Sequence, residues 1–432
     1  MLLFNGELLP DDRLHSVLDH LADFCCQAVE AGRPDAGRII HACSRLSDSI
    51  KEGRYDHIIA PLLSKGSFTK TQLDEAVVYF QREHMELKYR TELGLLEETL
   101  EPLTMPSGIT VQRRYVPLGV LFHIAAGNAE GLPFYSVIEG LLAGNVNLLK
   151  LPSADDGLSV LLLRELIRAE PALAPYIAVF DIPSADTPLL KKLEEPADAI
   201  VVWGGDTAVR AARQLAKPST QVISWGHKLS FAYLTLDADL IKLRGLASHI
   251  CETNQLLCSS CQGIFVDTDD MTDIKAVGIR FLRLLEEERA SRPALPIGIR
   301  GKLSLSLYNE ELEADTSHRE ILRGNGASVI LSGNSSPELS YLFGNCWIKP
   351  LPRSGIIKAL RPSKGYLQTV GLLCSPKDRR FLSDQFVKAG AVRITCISDM
   401  SRSIPGEAHD GEYALRRYTR LAETEYPSFA EY

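Results

Sequence analysis

The sequence predicts an α/β protein with two doubly wound domains, a helical layer at the N-terminus and a β-strand arm. Three observations predict it. Apolar strand-like runs alternate with helical patterns between residues 120 and 215. Glycine-containing turns at Gly204-Gly205 and at Gly226 bracket the last strand of that stretch. At 432 residues the chain is long enough to bury two or three cores.

From residue 13 to 95, apolar residues recur three and four positions apart, as in Leu14, Val17, Leu18 and Leu21, and again in Leu73, Ala76, Val77 and Phe80. That spacing lines one face of a helix, so residues 1–100 read as a helical layer. The segment 101–108, rich in proline and glycine, breaks the pattern, and 109–116 then alternates as a strand before Pro117. Residues 101–118, with the polar and aromatic tail 396–432, are assigned to an oligomerisation arm, the tail returning to the strand. From Val120 the order is strand, helix (133–143), strand (146–149), helix (156–168), strand (177–180), helix, strand (199–202), helix (207–215). Such alternation implies parallel strands joined by helical crossovers, and residues 119–226 become a nucleotide-binding domain. Nucleotides lie beyond the carboxyl ends of such strands, where Asn128, Lys150, Ser153 and Gly204 fall. After Ser224-Trp225-Gly226-His227-Lys228, residues 227–395 read as a second α/β domain that holds Cys258.

A net charge of −8 argues against a nucleic-acid partner held through its phosphates. No apolar stretch approaches the roughly 20 residues needed to span a bilayer. The N-terminus reaches Glu7 without a basic segment followed by a longer apolar one, so no secretion signal is read. Nine cysteines scattered along the chain form no disulfide framework and suit a reducing cytoplasm. Cys258-x-x-Cys261 has the spacing of half a zinc site, but no second pair completes a tetrahedral set, so no metal is predicted. Cys261 is also placed to trap Cys258 as a disulfide on oxidation.

Cys258 sits in a polar loop with Asn254, Gln255, Ser259 and Ser260 and runs directly into an apolar strand. A loop thiol at a sheet edge is suited to attack a carbonyl, because even a minor thiolate fraction is strongly nucleophilic. The plainer fate of a free cysteine is burial as a small hydrophobe, and Cys251 and Cys261 are the rival positions. Asn128 follows Gly127 in a common turn dipeptide. His123, inside an apolar strand, reads more readily as a satisfied core residue.

Four segments together resemble the aldehyde dehydrogenase superfamily. They are His123-Ile-Ala-Ala-Gly-Asn128, the run from Gly140-Leu-Leu-Ala-Gly-Asn145 through Lys150-Leu-Pro-Ser153, the Cys258 loop, and His409-Asp410-Gly411. Within it the chain is most similar to the fatty acyl-CoA reductases of bacterial bioluminescence, from about residue 109 to the C-terminus. The resemblance implies an aldehyde-dehydrogenase-like fold with Cys258 as nucleophile, since the seven residues from Cys258 to Phe265 match the superfamily's spacing. It implies that Asn128 and the Cys258 backbone N–H hold the oxyanion, one such donor contributing about 3 kcal/mol to the transition state. Lys150 would bond the adenosine ribose, and Gly204-Gly205 would open the pyrophosphate-binding helix. Ser153 stands where NAD-preferring relatives carry a glutamate, which favours NADPH and leaves NADH open. Ser224 occupies the place of the glutamate that activates water in hydrolytic members. The glutamate that orients the nicotinamide ribose has only a loose counterpart in Phe343-Gly344-Asn345.

The implied reaction is NADPH-dependent reduction of an acyl-CoA, in this branch a fatty acyl-CoA, to an aldehyde through a Cys258 thioester. The implied partners are an acyl-CoA or other acyl thioester, with an acyl-donor protein left open, and a second copy of the chain in a dimer or tetramer. Alternatives stay open: an acyltransferase that uses Cys258 without reduction, an acylating dehydrogenase acting on shorter acyl or acyl-phosphate substrates, and a catalytically silent nucleotide-binding scaffold.

Overall fold

Apolar runs long enough to be buried on both faces become the central strands of two sheets. In the computed structural model, residues 2–65, 70–94, 100–125, 131–153, 157–313, 319–402 and 404–426 are described. The chain divides into two units, Met1–Gly226 with Ile404–Tyr432, and His227–Ser403.

The first unit contains β1 (Leu2–Phe4), β2 (Glu7–Leu9), β3 (Leu100–Thr104), β4 (Thr110–Pro117), β5 (Val120–Ile124), β6 (Val146–Lys150), β7 (Ile177–Phe180), β8 (Ala199–Trp203) and β9 (Gln221–Trp225). Seven of these form one sheet in the order β2-β1-β7-β6-β5-β8-β9. Strands β5 to β9 pair in parallel, with Leu121 opposite both Asn147 and Ala199. Leu121, Phe122, Leu148, Val179 and Val201 lie in the core. The helices between the strands, Leu132–Leu142, Leu158–Ala169, Thr187–Glu194 and Asp206–Leu215, follow the predicted order.

The start of the predicted helical layer needs correction. Leu2–Phe4 and Glu7–Leu9 are strands, and β1 adds antiparallel to β7 with Leu3 opposite Val179. The reason is local: Asn5 and Gly6 take φ of 47° and 81° and close a two-residue hairpin, the conformation that Asn-Gly favours. The helices begin beyond it, with Leu14–Asp19, Leu21–Glu30, Ala36–Lys51, Asp56–Lys65, Lys70–Tyr79 and Arg82–Leu93. Asp35 caps the third of these by accepting from the Arg38 N–H at 2.7 Å.

The second unit holds β10 (Leu229–Leu234), β11 (Cys261–Val266), β12 (Arg319–Arg323), β13 (Ser328–Ser332), β14 (Asn345–Pro350), β15 (Leu367–Leu373) and β16 (Arg393–Thr395). Their order is β12-β13-β14-β11-β10-β15-β16. All pair in parallel except β12 with β13. Successive residues of a strand point to opposite faces, so Ile264 and Val266 join one core while Phe265 joins the other with Phe231 and Trp347. Gly263 is required by that packing, since a Cβ there would lie 2.1 Å from Trp347 Cδ2.

The tail returns to the predicted arm strand. β17 (Thr419–Tyr426) pairs antiparallel with all of β4, from Thr419 opposite Pro117 to Tyr426 opposite Thr110, and β3 covers the other edge of β4.

Candidate active site

The loop that carries Cys258 is built by buried glutamines. Helix Leu243–Thr253 ends at Asn254, and Asn254 and Gln255 both take left-handed φ, 49° and 63°, which swings the chain off the helix. The Gln255 side chain is buried. Its Nε2 donates to Cys261 O and Ser340 Oγ, both at 3.0 Å, and its Oε1 accepts from Gly344 N at 3.0 Å. Gln262 braces the same loop, Nε2 donating to Gln255 O at 3.1 Å and Oε1 accepting from Ser340 Oγ at 2.8 Å. The segment Phe343-Gly344-Asn345 therefore serves here as a brace for the Cys258 loop.

A turn closed by Ser260 N donating to Leu257 O at 3.0 Å presents Cys258 to solvent. Two neighbouring strands hold it. Ser230 Oγ on β10 donates to Cys258 O at 2.7 Å, and Gln368 Nε2 on β15 donates to Cys258 Sγ at 3.3 Å. The rival thiols are elsewhere: Cys251 and Cys261 both lie in the core. Burial pushes the Cys261 thiol up to about 12, and it donates to Gly263 O at 3.1 Å. That packing corrects the idea of a Cys258–Cys261 trap, because Cys261 would have to leave the core to reach the loop. Behind it, His249 Nε2 accepts from Cys261 N at 3.4 Å, and burial lowers this histidine to about 4.

In the first unit, the residues assigned to cofactor binding stand at carboxyl ends of strands. Lys150 closes β6 and donates to Ser184 Oγ at 2.7 Å. Burial lowers its pKa, with nearby Asp181 acting the other way. Ser153 is exposed in the turn beyond it. Gly204 follows β8 at φ 154°, and an added Cβ would come within 3.0 Å of Ala208 Cβ. Gly205 caps helix Asp206–Leu215, and nothing lies within 4 Å of where its Cβ would be. Asp206 puts a carboxylate in that helix's first turn. Asn128 lies outside the described residues.

His123 is a core residue, fully buried between Ser136 Oγ at 2.7 Å and Asn147 Oδ1 at 3.0 Å, and burial lowers it to about 4. Ser136 also accepts from Trp203 Nε1 at 2.9 Å. Trp203 stacks on Trp225 at 5.4 Å, and the motif histidine His409 packs against both rings at 5.6 and 5.3 Å. Sequence reasoning named Gln255 only as a polar neighbour of Cys258 and did not single out Trp203, Ser230, Gln262 or Gln368. For Ser230 and Gln368 the available signal is a polar residue inside an otherwise apolar strand, Leu229-Ser230-Phe231 and Leu367-Gln368-Thr369-Val370. Among the described residues, no group of three His, Cys, Asp or Glu is arranged to hold a metal, and no helix is long and apolar enough to cross a membrane.

The family described as acyl-CoA reductase (LuxC) matches residues 34–421. The chain is similar to the long-chain acyl-protein thioester reductase of Vibrio harveyi, 27% identical over 78% of this chain and 70% of that one. It is similar also to long-chain acyl-protein thioester reductase 2 of Photobacterium leiognathi, 27% identical over 72% of this chain and 65% of that one. The chain thus spans about two thirds of the length of these curated relatives. Among solved structures, an NAD-dependent benzaldehyde dehydrogenase from Corynebacterium glutamicum has a TM-score of 0.70 over 97% of this chain and 91% of its own, at 14% identity. At that identity the likeness is one of fold, and the fold is that of the aldehyde dehydrogenases.

Proposed function

The chain belongs to the acyl-CoA reductase (LuxC) family, and from that premise we propose that it reduces a long-chain acyl thioester to the aldehyde through an acyl group carried on Cys258. The observation that carries this reading is the exposed Cys258 thiol, bonded at sulfur by an amide, while Cys251 and Cys261 are sealed in the core.

Cys258 Sγ attacks the thioester carbonyl and forms a C–S bond. The oxyanion is stabilised by the Cys258 N–H and by Asn128, the latter assigned on the resemblance alone. Collapse expels the donor as a thiol and leaves a thioester on Cys258. NADPH, when bound by the residues named below, would supply the hydride that reduces this acyl group. Once reduced, the group on Cys258 would be a thiohemiacetal, and breaking its C–S bond would release the aldehyde and return the thiol to Cys258. Ser224, in place of a water-activating glutamate, keeps the acyl group from being lost to hydrolysis.

Lys150 is assigned to the adenosine ribose and Gly204-Gly205 to the pyrophosphate, a role supported by the open amide end of the helix at Gly205. Asp206 opposes that charge, so the phosphate would sit toward the Gly205 side. Ser153 brings no carboxylate against a 2′-phosphate, which favours NADPH over NADH. The family description names acyl-CoA and the relatives' names an acyl-protein, so the donor class is an acyl thioester of either kind. The β3-β4-β17 sheet is assigned to assembly of a dimer or tetramer.

The test is cofactor oxidation and aldehyde formation with tetradecanoyl-CoA and with a protein carrying the same acyl thioester, in NADPH and in NADH, beside Cys258→Ala. Aldehyde from the wild type and none from the variant is the expected result. Acylation of Cys258 with no cofactor consumed would replace this reading with acyl transfer.

A further inference from the structure

We infer that Gln368 is the positioning residue that holds the Cys258 sulfur and favours its thiolate, so that the thiol loses its proton to solvent more readily. The inference rests on the reading of Cys258 as nucleophile, and its evidence is the register of three strands. Leu229 lies opposite Leu367 and Phe231 opposite Val370, so β15 spends Gln368 and Thr369 against the single Ser230 of β10. On the other side, Ser230 lies opposite Cys261 and Ala232 opposite Ile264, so β11 spends Gln262 and Gly263 against Phe231. Both neighbours of β10 therefore carry an extra residue, at consecutive positions of β10, Ser230 and Phe231. Bulges re-aim side chains, and two at adjacent residues interrupt the ladder of a buried sheet.

What they aim is an amide. Gln368 is 5% exposed, yet its Nε2 reaches the sulfur of the exposed Cys258 at 3.3 Å. Ser230 Oγ gives its one proton to the Cys258 carbonyl at 2.7 Å and accepts from Thr369 N at 3.1 Å, so one hydroxyl ties the loop to β15 beside Gln368. A donor aimed at sulfur stabilises the thiolate over the thiol, and an amide does so at every pH because it does not titrate. Ser230 from β10 and Gln368 from β15 bond to Cys258, and Ser401 lies 2.9 Å from Ser259; these three partners are uncharged. Of the titratable groups behind the turn, His249 is kept neutral by burial, with Asp399 acting in the opposite direction.

The experiment is the pH dependence of Cys258 carboxamidomethylation by iodoacetamide in the full chain, located by peptide mass spectrometry. In the wild type the apparent pKa is expected below the roughly 8.5 of free cysteine. A value at or above it overturns the inference without recourse to any variant. In Gln368→Leu the midpoint is expected to rise by about one pH unit, as for loss of one hydrogen bond to a charged group, and labelling at pH 7 to fall about tenfold. In Gln368→Glu, which keeps the side chain's length, a carboxylate beside the sulfur raises the midpoint further. An unchanged midpoint in either folded variant also overturns it. The nucleophile reading fails separately, if Cys258→Ala still makes aldehyde, whereas the alkylation profile decides on Gln368 alone.

Discussion

Ser230 Oγ donates to the carbonyl of Cys258 at 2.7 Å, tying a solvent-exposed loop to a buried strand. On the proposed reading the bond ties the nucleophile to a rigid element, and loss of such an anchor shifts reacting atoms by fractions of an ångström. Ser230→Ala is expected to cost about 1 kcal/mol of stability, typical of one hydrogen bond. It is expected to lower the rate of aldehyde formation by roughly ten- to a hundredfold, since misplacement is penalised steeply. Steady-state kinetics beside thermal unfolding separates the two, and a variant as active as the wild type would remove the anchor from the account.

His123 and His249 are both buried, and both are held near 4 instead of the usual 6.5, by burial first. The folded protein therefore resists protonating them, while the unfolded chain takes up those protons from about pH 6.5 downward. Stability is then fully present above that pH and is lost as pH falls from about 6.5 to about 4, below which both states are protonated. Each histidine contributes on the order of 3 kcal/mol across the window. Urea unfolding at intervals from pH 4 to 7.5 checks this, and a flat profile would contradict it.

Within the first unit, Lys88 is buried between Glu92 and Glu139, at 2.8 Å from the latter. Burial pushes the Glu92 carboxyl above its ordinary range despite the lysine. Lys88→Met would leave two carboxylates buried without their cation, a loss expected to cost about 3–5 kcal/mol. The triple change of Lys88, Glu92 and Glu139 to apolar residues should recover most of it. Unfolding midpoints of the single and triple variants measure the difference.

Peroxide treatment is expected to oxidise Cys258 without joining it to Cys261. The first is exposed, and the second is bonded to Gly263 O inside the core. Peptide mass spectrometry after mild peroxide should find Cys258 as sulfenic acid or its adduct with an added thiol. Abundant Cys258–Cys261 crosslink would mean that β11 opens at its first residue.

Much of the fold was legible because its signals are local. The run predicted as a strand at 146–149 is β6, Val146–Lys150, and the helix expected at 207–215 is Asp206–Leu215. In both cases the apolar run and the glycine turn that bounds it lie within a few residues of each other. The Cys258 loop is legible for the same reason, as polar residues abutting an apolar strand. The opening hairpin was passed over although Asn5-Gly6 is a hairpin signal, because the apolar pairs beside it are too short to declare a strand before β7 supplies a partner.

By itself, then, the sequence determined the alternation of strands and helices, the turns between them and a loop thiol entering a strand. All of these depend on residues adjacent in the chain. Only the tertiary structure decided which of Cys251, Cys258 and Cys261 faces solvent, that His123 is enclosed by Ser136 and Asn147, and that Gln368 meets a sulfur 110 residues away. Those outcomes follow from strand order and register. A shift of one residue in a β-ladder turns every side chain to the opposite face, and the register of β10 against β11 and β15 is set by packing across the sheet.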